Sequence, residues 1–396
     1  MSFVKYLLPA LAATKVAFAS SDCGDTTLET QVDADGIASC STISGDVTIK
    51  DTYSGTLALN GIKKITGSLK ANNATGVSSM TADSLTSIGS NFTLNELTGL
   101  TQLSFSQLNS VGNIYWEALP ELQSLDFPKG ISEAGDVSII NTGLTNLNGI
   151  NLTQVGDFNI EDNKHLESIN INELKNSTGV INFSGNDDGL NIEFPNLYNA
   201  KGLTFRNVSS VMAPSLTVAK SQLGFWGTGL KNFTAMNLTQ TGDLTFNDNP
   251  NLNNISMPNL QTVNGGFIIK LNEKLDSIDL PKLQTVGGAI QFTGTFNELE
   301  FGSLNRVSGA FNVQSTKGNF SCSSFESEFK QKVEGKWKCD STNPQASTAA
   351  GSTTGSDDNS GSSGKSSSTS SSAAMANGVY PATGIAAVFF ALAQLF

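Results

Sequence analysis

Between Asn249 and Phe292 the chain states one pattern twice. Shifted by 23 residues, Asn249, Leu252, Ile255, Met257, Pro258, Leu260, Val263, Gly265, Phe267 and Ile269 fall on Asn272, Leu275, Ile278, Leu280, Pro281, Leu283, Val286, Gly288, Ile290 and Phe292. Self-similarity at a period between roughly 20 and 50 residues marks stacked repeats. Inside each unit the apolar residues come every second or third position, without the i, i+3, i+4, i+7 stripe of a helix. The Gly-x-Φ-x-Φ piece (Φ apolar) alternates like a strand. The Leu-x-x-Φ pieces read as turns and short extended segments that also send a side chain inward.

Following the glycine anchor through the chain gives thirteen units, at Gly45, Gly67, Gly89, Gly112, Gly135, Gly156, Gly179, Gly202, Ser221, Gly242, Gly265, Gly288 and Gly309. One such unit cannot bury its own apolar face, whereas stacked neighbours bury a continuous core. The expected fold is therefore an all-β solenoid of about thirteen parallel coils. With parallel strands about 4.8 Å apart, the stack is a rod of about 60 Å. The Asn-x-x-Leu-x-x-Φ element recurs less strictly, for example at Asn163, Leu166 and Ile169. An asparagine there is expected in a left-handed turn, its side chain bonding backbone groups.

The open ends of such a stack expose unpaired strands and need covers. Cysteines bracket the repeats: Cys23 and Cys40 before the first, Cys322 and Cys339 after the last. A rod of about 60 Å separates the two pairs beyond disulfide reach, so Cys23–Cys40 and Cys322–Cys339 are the expected bonds. No histidine lies near either pair to support a zinc site. Phe325, Phe329 and Val333 within Ser323–Val333 have helical spacing and suit a short lid over the second end. Caps are expected at 20–44 and 320–340, with the solenoid running from 20 to 340.

Residues 1–19 read as a secretory signal: Lys5 precedes the apolar run Tyr6–Ala13, and Ala17-Phe18-Ala19 is a small-x-small cleavage site. The mature chain is thus expected in an oxidising exterior. Ten Asn-x-Ser/Thr sequons begin at Asn73, Asn91, Asn151, Asn176, Asn182, Asn207, Asn232, Asn237, Asn254 and Asn319, and are expected to carry N-linked glycan where they fall on turns. Asn182, between Ile181 and Phe183, is expected on the outward face of a strand. From 341 to 372 Ser, Thr, Gly and Ala replace the repeat, as in an extended, O-glycosylated linker. Residues 373–396 end in the apolar run Ile385–Phe396. This is the layout of a glycosylphosphatidylinositol (GPI) attachment signal whose tail is removed, with Asn377 as attachment residue and Ser372 as the alternative. A run of twelve residues is too short to span a bilayer.

The net charge of −12 argues against nucleic acid or an anionic membrane surface as partner. Catalysis finds little to work with. Glycoside hydrolysis needs two carboxylates facing each other across the substrate. The densest acidic spot, Asp187-Asp188, stands where other repeats place their asparagine turn, as do Glu161-Asp162 and Asp248. His165, the single histidine, precedes Leu166 in a turn. The glycines are spaced as repeat anchors, not as a phosphate loop, and no cofactor or metal is expected. Among the aromatics, alternation turns Ile114 and Trp116 inward and Tyr115 outward, while Trp226 follows Phe225 at the end of a strand.

Taken together, the signal segment, the Leu-Pro-x-Leu-x-x-Val-x-Gly repeats (Met257-Pro258-Asn259-Leu260 and Leu280-Pro281-Lys282-Leu283), the paired terminal cysteines and the Ser-rich tail resemble a known family. It is that of the fungal GPI-anchored cell-wall organisation proteins, the "extracellular mutant" family, related to the sporulation-specific wall proteins. Its repeats resemble the receptor L domain, which implies a right-handed parallel β-helix of leucine-rich-repeat type. The resemblance implies a non-enzymatic surface glycoprotein needed for wall organisation and integrity. It would sit on the plasma membrane through its GPI lipid or in the wall, in contact with wall polysaccharide or other mannoproteins. The alternatives are a carbohydrate-binding or receptor-like module, which needs a glycan-free face bearing aromatics, and a β-helix carbohydrate-active enzyme.

Overall fold

The computed structural model describes residues 23–169 and 171–348. It is a parallel β-solenoid of about 14 turns. Each coil contributes to three ladders. The coil from Asn249 to Leu271 illustrates the path: strand Asn254–Ser256, a turn, strand Thr262–Val263, the glycine bend, then strand Phe267–Lys270. Leu252, Ile255, Met257, Leu260, Val263, Phe267 and Ile269 are all fully buried. The Leu-Pro-x-Leu segment closes a tight turn, with the Leu260 N–H donating to the Met257 carbonyl at 3.1 Å and Leu283 to Leu280 at 3.2 Å.

The longest ladder runs without a break from Thr26–Leu28 to Trp337–Asp340. Period-2 alternation sends two side chains of each strand inward, and register stacks like on like. Phe183, Phe205, Phe225 and Phe246 form one inward column. Their rings are near-parallel, with centroids 6.2, 5.4 and 5.0 Å apart. Such pairs add about 0.5–1.5 kcal/mol each beyond area burial.

The glycine anchors answer to crowding between coils. A Cβ at Gly288 would lie 2.8 Å from the Gly265 carbonyl carbon, and one at Gly309 would lie 2.7 Å from that of Gly288. The same column is hydrogen-bonded along its length, Gly288 N–H to Gly265 O at 2.9 Å and Gly309 N–H to Gly288 O at 2.9 Å. Ser221 takes the anchor position at a register shift between Ala219 and Gln222.

The thirteen anchored coils continue into the end covers, which add strands to the ladder and bring the stack to about 14 turns. Gly335 N–H donates to Gly309 O at 3.2 Å, extending the glycine column into the segment taken for a cap, and Trp337 stacks on Phe311 with centroids 4.2 Å apart. At the other end Gly24-Asp25 aligns with Gly45-Asp46 of the next coil, and the Asp25 carboxylate accepts the Asp46 N–H at 2.7 Å. Both disulfides form as expected, Cys23–Cys40 with Cα atoms 5.8 Å apart and Cys322–Cys339 with 5.6 Å. The first closes the segment holding helix α1 (Gln31–Gly36), and the second ties helix α2 (Cys322–Phe329) to the last strand.

The second lid is shorter than its spacing suggested. After Phe329 the chain tightens into a 3-10 turn, Lys330–Lys332, and Val333 bridges to Val307 as one more rung of a ladder. Residues 341–348, expected in the linker, continue as turns on the final coil. There Asn343 donates to the buried Gln314 side chain at 2.5 Å, and Ala346 is buried.

Candidate functional site

The repeated turn is more specific than its sequence suggested. Asn163, Asn186, Asn249 and Asn272 have at most 2% of their surface exposed and point into the stack. The left-handed residue is the one before each of them: Asp162 (φ 56°), Gly185 (φ 65°), Asp248 (φ 58°) and Leu271 (φ 57°). The expectation that the asparagine itself takes the left-handed conformation is thus corrected. That bend aims the next side chain inward, where its amide bonds backbone on the neighbouring coils. Asn163 Nδ2 donates to the Ile139 carbonyl at 2.9 Å, and Asn186 Oδ1 accepts the Asn163 N–H at 3.1 Å. Asn249 and Asn272 repeat the arrangement, with the Asn249 N–H donating to Asn272 Oδ1 at 2.9 Å.

These turns scatter the acidic residues singled out for catalysis. Asp187 Oδ1 accepts the Gly189 N–H of its own turn at 2.7 Å, and Asp188 is exposed beside it. Asp162 and Asp248 hold left-handed turns of other coils, and Glu161 is half-buried on an outward face. No two of them face each other across a cleft. His165 is exposed in its turn. Among the described residues, no group of three His, Cys, Asp or Glu is placed to hold a metal ion.

A second polar column escaped the sequence reading. The residue after several glycine anchors is Asp or Asn, and its Oδ1 accepts the N–H at the same position one coil later. The pairs are Asp46 to Ser68 (2.7 Å), Asn113 to Asp136 (2.8 Å), Asp136 to Asp157 (2.8 Å), Asp157 to Val180 (2.7 Å) and Asp243 to Gly266 (2.7 Å). Its signal was present as recurring Gly-Asp and Gly-Asn pairs, which look like ordinary turn chemistry until coils are stacked. The Lys70 ammonium on Asp46, followed by the Ser68 N–H, holds that carboxyl below the usual range.

Of the aromatics, Tyr115 projects outward, 36% exposed, and burial together with the Asp136 and Asp157 carboxylates pushes its phenol up. Trp226 is only half-exposed. Its indole lies flat over Gly224, whose missing side chain leaves the room, and Arg206 covers it with the guanidinium 4.3 Å from the ring centroid. The two aromatic sites are therefore separate features of one face.

Every sequon asparagine is exposed or half-buried: Asn73, Asn151, Asn207, Asn232, Asn237 and Asn319 exposed, Asn91, Asn176, Asn182 and Asn254 half-buried. In all but Asn319, the middle residue is buried, so Asn and Ser/Thr leave on the outer side of the coil together. Asn182 faces outward as expected, and its Nδ2 donates to Asn159 Oδ1 at 2.7 Å. Cleavage after Ala19 and attachment at Asn377 or Ser372 fall outside the described residues.

A disulfide-closed solenoid with a polar, sequon-bearing exterior defines a class: extracellular leucine-rich-repeat proteins. The comparisons narrow it. A family model described as "GPI-anchored cell wall organization protein" (Ecm33) matches residues 1–38, and one for the BspA type leucine rich repeat region matches 86–212 and 190–298. "Protein ecm33" of Aspergillus fumigatus is 52% identical over 100% of this chain and 99% of its own length. The "Cell surface GPI-anchored protein" of Arthroderma benhamiae is 38% identical over 86% and 88%. The "Cell surface GPI-anchored protein ECM33" of Candida albicans is 30% identical over 89% and 88%. No solved structure matches the chain. The chain belongs to the Ecm33 family of fungal cell-wall organisation proteins.

Proposed function

We infer that this chain is a non-enzymatic, GPI-anchored glycoprotein that organises the fungal cell wall from the outer face of the plasma membrane. The end-to-end identity with a family relative carries the reading, and the geometry supports it. The acidic residues singled out for catalysis, Glu161, Asp162, Asp187, Asp188 and Asp248, are spread over turns and outward faces of different coils. In this reading residues 1–19 are removed after Ala19, and the Ser/Thr-rich segment is an O-glycosylated spacer. The solenoid is then held at Asn377, or at Ser372, a linker's length from the bilayer.

The receptor-like alternative requires a face free of glycan around its aromatics. Tyr115 shares one outward column with Ser138, Asn159 and Asn182. A glycan at Asn182 would stand three rungs, about 14 Å, from Tyr115. That arrangement favours wall polysaccharide or mannoprotein contacts made through a glycan coat over a bare ligand face.

Fractionation of producer cells into detergent-soluble membrane and SDS-resistant wall tests this. Release from membrane by a GPI-cleaving phospholipase is the expected result for an organiser at the membrane. Release only by β-1,6-glucanase would make it a covalent wall component. Free protein in the medium with its C-terminal tail attached would overturn the anchor.

A further inference from the structure

The second ladder carries an unassigned trough. Strand Asn232–Thr234 pairs in register with Asn254–Ser256, so Asn232 and Asn254 are neighbours in one outward column, about 4.8 Å apart. The column continues through Ser277 and Glu298, and a second outward column runs Ser256, Asp279, Glu300. From Asn254 onward these columns wall a trough of about 690 Å³ whose far end is Asn319 and Phe320. No lysine or arginine lines it.

We propose that the trough seats the N-linked glycan of Asn254, with its first two N-acetylglucosamine units lying along the solenoid toward Asn319. The proposal rests on the reading of the chain as an N-glycoprotein. Three features set it. Asn254 is half-buried in the wall, so a sugar on its Nδ2 begins inside the trough. Asn232 on the preceding rung closes the opposite direction, because a pyranose with its acetamido arm is wider than one strand spacing. The carboxylates of Asp279, Glu298 and Glu300 accept hydrogen bonds, and a sugar offers hydroxyl and acetamide N–H donors to them. Asp279 is oriented for this by the Ser256 hydroxyl, which donates to its Oδ2 at 2.8 Å.

Asn232 instead borders a separate cavity of about 300 Å³ lined by Pro195, Met212 and Pro214. Glycans on the two neighbouring asparagines therefore part in opposite directions. At Asn254 the bond between the two core sugars is shielded by protein; at Asn151 and Asn207, both exposed, it is not.

The test uses the secreted glycoprotein from its native producer and an endo-β-N-acetylglucosaminidase that cuts between the two core sugars, with site-resolved glycopeptide mass spectrometry. Cleavage at Asn254 is expected about tenfold slower than at Asn151 and Asn207 in the native protein, a factor equal to about 1.4 kcal/mol of seating energy. The rates should become equal after denaturation. The surface variant Glu298→Gln with Glu300→Gln should raise the Asn254 rate and leave the others unchanged. Equal native rates overturn the proposal, as does an Asn254 without sugar in a protein glycosylated at Asn151 and Asn207. A chain without sugar at any sequon overturns the glycoprotein reading, and the proposal with it.

Discussion

Asn249 Oδ1 accepts two hydrogen bonds from one residue of the preceding coil, the Thr228 N–H at 2.9 Å and the Thr228 hydroxyl at 2.6 Å. Asn163 holds Thr142 in the same way, at 3.0 and 2.6 Å. Each column is thus a threonine followed by two asparagines, and each amide also donates to a strand-end carbonyl, as Asn272 Nδ2 does to Phe246 O at 3.0 Å. A buried polar group left without its partner costs about 1–3 kcal/mol.

Asn249→Ala strands the Thr228 N–H and the Phe225 carbonyl at once, so a loss of about 2–5 kcal/mol is expected. Asn249→Asp keeps the acceptor but buries a carboxylate facing the Phe225 carbonyl and Asn272 Oδ1, and should cost at least as much at neutral pH. Urea unfolding of the secreted solenoid measures both. A cost under about 0.5 kcal/mol for the alanine variant, the size of an ordinary surface substitution, would mean that the column only decorates the turn.

Leu271 adopts the left-handed conformation (φ 57°) at the position where other coils use Gly185, Gly227, Asp162 or Asp248. For a residue with a Cβ this conformation costs about 1–2 kcal/mol. Leu271 is half-buried, so its side chain returns only part of that. Leu271→Gly is expected to stabilise the protein by about 0.5–1 kcal/mol, after allowing for the greater freedom glycine has when unfolded. A fall in the unfolding midpoint would show that the leucine packs more than its exposure suggests.

The coil path was legible because its signals are local. Leu252, Ile255, Leu260, Val263 and Phe267 recur at fixed offsets, and glycine marks the bend at which coils touch. What eluded the sequence lies between coils. Asn163 looks like a turn residue because its neighbour Asp162 is one, and only the left-handed bend at Asp162 sends the asparagine inward. The terminal coils were hidden for a similar reason: Gly24-Asp25 lies inside the segment read as a cap, and Gly335 follows a helix that breaks the period. The trough was unreadable in one dimension. Asn254, Asp279 and Glu300 are ordinary polar flanks of Ile255, Ile278 and Leu299, and they meet only because three strands stack in register.

Asp46 couples the outer column to pH. Its carboxyl is lowered in the folded state by Lys70, whose ammonium lies 2.6 Å away, and by the Ser68 N–H. A lowered carboxyl contributes stability that is present above its unfolded value of about 4 and is lost as pH falls through the folded value. Between pH 5 and pH 2, about the span of that loss, the wild-type melting temperature should therefore fall more steeply than that of Asp46→Asn, which retains an oxygen for Ser68 but no charge for Lys70. High salt should shrink the difference, since both side chains are over a third exposed. Parallel profiles for the two proteins would remove Asp46 as a source of acid sensitivity.

The glycine column makes a contrast that one pair of variants can read. A Cβ at Gly288 runs into the Gly265–Gly266 peptide group of the preceding coil, with Gly265 C and Gly266 N both at 2.8 Å and Gly265 O at 3.0 Å. Backbone cannot rotate away, so the coils must separate there and the Gly288 N–H bond to Gly265 O must lengthen. Overpacking of this kind costs about 1–3 kcal/mol. At Gly36, the last residue of α1, a Cβ meets nothing within 4 Å, and Gly36→Ala should leave stability unchanged or slightly raised. Because each coil rests only on its neighbours, strain at Gly288 acts on the two adjoining interfaces and not on the amino-terminal coils. Hydrogen exchange of Gly288→Ala should thus show faster exchange in Phe267–Lys270 and Phe311–Ser315 with Val47–Ile49 unaffected. Uniform acceleration along the whole ladder would mean that the solenoid unfolds as one unit, and that stacking in this protein is cooperative from end to end.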